Sequence, residues 1–131
     1  MVLSDYESMV DLWRATPGVR LVNDDSEAGI SAFLARNPGM SYVCAEHGQL
    51  VGTVMCGHDG RRGFLYHLAV RPEYRGRRIG TNLVQMSLNA LRDAGISKCH
   101  VFVVADNAIG RAFWGNGWAF REDIALFSRD I

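Results

Sequence analysis

Net charge is the first thing this chain lacks. Its Lys and Arg total 14, as do its Asp and Glu. A general nucleic-acid binder carries a basic excess, so no nucleic-acid partner is expected. The chain also has no apolar run long enough to span a bilayer and no secretory leader, so no membrane partner is expected. Cysteine is scarce and odd in number: Cys44, Cys56 and Cys99 each sit in an apolar neighbourhood. That excludes a disulfide framework and points to buried, reduced thiols in a cytoplasmic protein. His47, His58, His67 and His100 are too scattered for a zinc site, and no metal is expected. With no linker, repeat or low-complexity tract, residues 1–131 read as one domain. At 48% hydrophobic residues the chain can fill a core, which excludes disorder.

The basic charge is almost all arginine, and it is concentrated. Arg61, Arg62, Arg71, Arg75, Arg77 and Arg78 lie close together. The last three surround Gly76, with Gly80 following, in AVRPEYRGRRIGTNLV, Ala69 to Val84. An apolar-periodic helix begins there. The first N–H groups of a helix have no intrahelical acceptor, and the positive end of the macrodipole lies beside them. Glycine lets a ligand approach that backbone. Thr81 adds a hydroxyl, and the arginines can form charge-assisted bonds to phosphate. The spacing fits neither the Walker loop nor the dinucleotide Gly-x-Gly-x-x-Gly pattern. A solvated arginine run capping an ordinary helix reads equally well from this stretch alone.

Periodicity and turn signals order the rest. SDYESMVDLW opens a helix, with Ser4 and Glu7 at capping-box spacing. DDSEAGISAFLARN is a second, shorter helix. SYVCAEHGQLVGTVMCG reads as two strands joined at His47-Gly48. RRGFLYHLAV is a third strand. A helix from near Gly76 carries Ile79, Leu83, Val84, Leu88 and Leu91 inward. KCHVFVV is an apolar strand of the kind found deep in a sheet. NAIGRAFWGNG is a short helix, and WAFREDIALFSRD supplies a closing strand. The fold class is therefore α/β in the broad sense (α+β): a mixed sheet with helices on both faces, in the order α-α-β-β-β-α-β-α-β.

Two segments carry a family resemblance. LAVRPEYRGRRIGTNLV resembles the coenzyme A motif of the GNAT superfamily of N-acetyltransferases, and DNAIGRAFWGNGW resembles that family's second motif. They occur in the family's order and spacing, and the elements agree from about Ser4 onward. The resemblance implies acetyl-CoA as acetyl donor. It implies that main-chain groups of Leu68, Ala69 and Val70 pair with the pantetheine arm. The pyrophosphate would rest on Gly76, Arg77, Arg78, Ile79, Gly80 and Thr81, with Arg75 at the motif's Arg/Gln position. Asn107 would contact the cofactor arm, with a helix N-cap as its other role, and Arg111 would reach the cofactor or remain solvated. Arg78 stands where the family usually has its first glycine. The family's first strand is missing, since Met1-Val2-Leu3 is too short for it. That leaves an edge through which a homodimer could form.

The implied reaction is direct attack of a primary amine, of a small molecule or a peptide, on the thioester in a ternary complex. A main-chain N–H near Val70 would stabilise the oxyanion. The family's proton-donating tyrosine falls on Phe113 or Trp114, and neither can donate that proton. The positions where relatives carry a glutamate base hold Phe64 and Phe102. His67 is the remaining candidate base, or a structural histidine. Glu46, Tyr66 and relayed water are weaker options. Asp24, Asp25 and Glu27 either attract a cationic amine or cap the second helix and face water. The missing acid and base also suit a non-catalytic acyl-CoA-binding module.

Overall fold

The computed structural model describes residues 1–131. A 3-10 turn, Leu3–Asp5, runs into α1, Tyr6–Arg14, whose Met9, Val10, Leu12 and Trp13 are buried. The expected Ser4–Glu7 box does not form. The 3-10 turn brings Asp5 over the first free donor instead, and its carboxylate accepts from the Val2 N–H at 2.8 Å. After a second turn, Asn23–Asp25, comes α2, Glu27–Arg36, where Ser26 Oγ caps the Gly29 N–H.

The strands β1, Tyr42–Glu46, and β2, Gln49–His58, form a hairpin. Its two turn residues, His47 and Gly48, both have positive φ, as a tight turn matched to strand twist requires. β3, Gly63–Val70, lies antiparallel to β2. The helix α3, Ile79–Asp93, then crosses to β4, Cys99–Val101, which is parallel to β3. α4, Ala108–Trp114, follows. The sheet order is β1-β2-β3-β4.

The mixed sheet carries helices on both faces, as the apolar periodicities require. On one face α1 and α2 bury Met9, Trp13 and Ile30 against Leu50, Met55 and Ala69. On the other, Ile79, Leu83 and Leu91 of α3 and Trp114 of α4 cover Val51, Val54, Cys56 and Leu65. Each such aliphatic side chain contributes about 1.5–3 kcal/mol by leaving water.

Three further expectations need correction. No strand closes the chain: residues 118–131 form no helix or strand, and Phe120, Leu126 and Phe127 are exposed. The fourth strand is also shorter and less buried than its sequence implied, for only Cys99–Val101 pair and all three are half-buried. The two departures have one cause. The chain leaves β3 after Val101, so no long edge remains for a further strand to pair with. The third correction concerns the start of α3, at Ile79 rather than near Gly76.

Two extra residues interrupt the ladders. Val51 is one, between the pairs Cys44↔Gly52 and Ala45↔Leu50. The other lies in β3, where Thr53 faces Ala69 and Met55 faces Tyr66, so β3 spends one residue more than β2. His67 sits in this bulge at φ 49°. Alternation would send Tyr66 and His67 to opposite faces. Instead Tyr66 meets Phe33 of α2 and His67 meets Trp13 of α1, with ring centroids 6.1 and 4.6 Å apart. The bulge has turned two successive side chains to one face.

A left-handed backbone at a non-glycine residue costs about 1–3 kcal/mol. A buried relay offsets it. Trp13 Nε1 donates to Thr53 Oγ1 at 2.9 Å, and that hydroxyl donates to the His67 carbonyl at 2.9 Å. Thr53→Val keeps the shape but strands the indole N–H and the bulge carbonyl. We expect it to lower the unfolding free energy by about 1–3 kcal/mol, read by urea denaturation.

Candidate active site

The parallel ladder between β3 and β4 consists of Gly63↔Cys99, Phe64↔His100 and Leu65↔Val101, and there it stops. β3 continues to Val70 while the other chain turns toward α4. Between them opens a cavity of about 580 Å³. Leu65 to Val70 form one wall and Val101 to Val104 the other. The start of α3, with Asn107, Gly110 and Phe113, closes one end. Thr16 to Arg20, from the loop between α1 and α2, cross it. The loop lies so close that a Cβ on Gly18, whose φ is 88°, would strike the Asn107 side chain.

At the α3 end the backbone is prepared for an anion. The N–H groups from Gly76 through Thr81 find no acceptor in the protein; the first bonded amide of the helix is that of Asn82, to the Arg78 carbonyl. Gly76 and Arg78 have φ of 76° and 63°, and such left-handed residues turn successive N–H groups into one concavity. The Cβ position of Gly76 faces open space, so nothing but a ligand is excluded by a side chain there. Arg78 thus adopts the backbone conformation for which the family's glycine would be suited. These residues fit a pyrophosphate.

The side chains divide. Arg75, Arg78, Ile79, Gly80 and Thr81 line the cavity, as do Leu68, Ala69, Val70 and Asn107. Arg75 Nε also donates to the Val70 carbonyl at 3.2 Å. Asn107 caps α4, its Oδ1 accepting from the Gly110 N–H at 2.9 Å. Two expected cofactor side chains turn elsewhere. Arg77 makes a two-pronged pair with Glu46, at 2.7 and 3.1 Å, lies over the Tyr74 ring and does not line the cavity. Arg111 donates to the Ala105 carbonyl and lies over Phe120. In both, a nearer acceptor and an aromatic face compete with the cleft.

His67 lines the cavity midway along β3. Its Nε2 lies 2.6 Å from Oδ1 of Asp25, a contact between residues far apart in sequence that sequence reasoning missed. Asp25 neither faces water nor lines the cavity; it is buried, 9% exposed. Its run of acids gave no signal of this, because the pairing depends on where the loop before α2 meets the bulge. Glu46, bound to Arg77, is outside the cavity and is not placed to act as a base. Tyr66 is on the wall, but burial, and secondarily Cys99, push its phenol above its ordinary value, so it stays protonated and makes a poor base. Phe113 and Trp114 both line the wall, and Trp114 packs edge-on against Phe113 and Trp118. No proton donor stands at the position of the family's tyrosine.

A splayed mixed sheet with an anion cradle at one end of the gap and a histidine within it is an arrangement suited to coenzyme A-dependent acyl transfer. Comparison with known proteins agrees. Residues 6–118 match the acetyltransferase (GNAT) family, and the chain belongs to that family. It is 37% identical over 103 residues to an acetyltransferase of Pectobacterium atrosepticum, covering 79% of this chain and 72% of that one. It is 36% identical over 107 residues to an acetyltransferase of Photorhabdus laumondii, covering 79% and 71%. The fold superposes on the PaiA N-acetyltransferase of Thermoplasma acidophilum, solved in complex with coenzyme A, with a TM-score of 0.75 at 17% identity over 88% of this chain and 84% of that one. The protein is an N-acetyltransferase whose acetyl donor is acetyl-CoA.

Two expectations follow for the site. Gly76→Val places a β-branched residue at a φ of 76° and should weaken acetyl-CoA binding by about tenfold or more, read by calorimetric titration. Cys56 and Cys99 should be silent. Burial first, then Cys99, pushes Cys56 up to about 12 against a hydrogen bond to Ser87, and burial pushes Cys99 up to about 11. Neither forms thiolate near neutral pH, and none of the three cysteines lines the cavity. Iodoacetamide treatment of the native chain should therefore leave acetyl transfer intact, which a cysteine-borne acyl intermediate would not allow.

Proposed function

We propose that residues 1–131 act as a single domain that transfers the acetyl group of acetyl-CoA to a primary amine by direct attack in a ternary complex, with His67 as general base. The observation that carries this reading is the free side of the His67 ring. Nε2 is held by Asp25, and Nδ1 makes no hydrogen bond within the protein. No fully buried polar side-chain atom is left unpaired, so the unbonded Nδ1 keeps some exposure, and His67 lines the cavity.

Bound acetyl-CoA supplies an activated acetyl group and a thiolate leaving group that water can protonate. The cradle from Gly76 to Thr81, with Arg75 and Arg78, would hold its phosphates. Main-chain groups of Leu68, Ala69 and Val70, on the stretch of β3 beyond its ladder with β4, would hold its arm, with Asn107 from the opposite wall. The Val70 N–H would meet the charge that develops on the carbonyl oxygen. His67 Nδ1 would take the amine proton at the wall of the same gap. Thr16 to Arg20 lie over the cavity and would contact the acceptor, a small molecule or a peptide. Three free cysteines suit a reducing, cytoplasmic compartment. β1 has no strand on its outer side, the feature on which a homodimer would rest.

The test is thiol release from acetyl-CoA against an amine panel: an aminoglycoside, a peptide with an N-terminal alanine, a diamine and free lysine. Turnover is expected with at least one of them. His67→Gln should lower kcat by about 10²-fold or more without changing the Kd for acetyl-CoA. Tight acetyl-CoA binding with no turnover on any of these four amines would overturn this reading of the acceptor and of His67.

A further inference from the structure

The Asp25–His67 pair carries an inference about how the base is prepared, which rests on the base reading of His67. We infer that Asp25 is a positioning residue: its carboxylate fixes the His67 ring in one orientation and one tautomer, leaving the Nδ1 lone pair toward the cavity.

The carboxylate is itself fixed. Oδ1 faces His67 Nε2 at 2.6 Å, and Oδ2 accepts from the Val22 N–H at 2.9 Å. The Asp25 carbonyl accepts from the Tyr6 hydroxyl at 2.9 Å, tying the turn to α1. Both carboxylate oxygens are thus engaged, and the group is buried. From the other side Trp13 packs on the imidazole with rings tilted by 51°, while Thr53 holds the His67 carbonyl. The ring is constrained by its backbone, its face and one of its nitrogens. Only Nδ1 is free.

The chemistry follows from donor and acceptor roles. An ionised carboxylate only accepts, so Nε2 must carry the hydrogen in this pair. In the neutral ring the lone pair is then on Nδ1, on the cavity side, where the amine proton has to go. A carboxylate facing Nε2 also stabilises the imidazolium formed when Nδ1 takes that proton. Asp25→Asn changes this without changing size. The carboxamide can donate to Nε2 and so favours the tautomer with hydrogen on Nδ1, which cannot accept. A merely structural anchor between the loop and β3 would have no such dependence on charge.

Two measurements test the inference on the full chain. Long-range proton–nitrogen NMR of the histidine rings reads the tautomer directly and needs no acceptor. The native protein, in mildly alkaline buffer, is expected to show His67 protonated at Nε2 and bare at Nδ1, and Asp25→Asn to show the reverse. Hydrogen on Nδ1 in the native protein overturns the inference whether or not any variant folds. The second measurement is a double-mutant cycle on the best amine of the panel, with acetyl-CoA Kd and Tm as controls. Asp25→Asn should lower kcat by about 10²-fold in the native background and by less than about twofold when His67 is already Gln. A normal His67→Gln loss with the same Asp25→Asn loss in both backgrounds overturns this inference alone. Full kcat in His67→Gln overturns the base reading, and this inference with it.

Discussion

Beyond Leu65 and Val101 the two parallel strands part, and the site follows from that divergence. A backbone that leaves its ladder exposes N–H and C=O groups, which must find other partners. Here the exposed stretch of β3 becomes the wall of a cavity sized for a cofactor arm rather than for water alone. The same departure leaves β4 three residues long and denies the C-terminal segment a strand to pair with. One event at the sheet edge therefore opens the cleft and accounts for the missing closing strand.

The cleft would lack chemistry without the bulge in β3. Strict alternation would direct His67 toward α3. One extra residue directs it toward α1, where Trp13 and Asp25 meet it. The bulge is strained, and the strain is offset by the Trp13–Thr53–His67 relay, which is fully buried where it meets β2. Packing of α1 on the sheet and orientation of the candidate base are thus one structural problem. The loop from α1 to α2 shares in it, since the turn carrying Asp25 follows the segment that crosses the cavity.

At the other end, the main chain rather than the arginine side chains makes the cradle. Free N–H groups from Gly76 through Thr81 converge because Gly76 and Arg78 take left-handed conformations. Arg77, in the middle of the run, is committed to Glu46 across the protein surface. Preorganised N–H groups lose little entropy on binding, whereas long side chains must be ordered first. Of the three arginines around Gly76, only Arg75 and Arg78 line the cavity.

The sequence by itself determined the existence of the helices, the hairpin at His47-Gly48 and the glycine-arginine turn that precedes α3, because each depends on residues within a few positions of one another. The apolar periods of α1 and α3, the Asn107 cap and the two family motifs were legible for that reason. Tertiary structure decided the rest. Only folding revealed which arginines face the cleft, since Glu46 and Phe120 compete for two of them from distant elements. Only the register between β2 and β3 showed that His67 breaks alternation. Asp25 reads in sequence as one acid among several, and its burial against His67 arises where a loop and a bulge, 42 residues apart, are packed together. Local preference is written along the chain, but the partners of a buried polar side chain are chosen by packing.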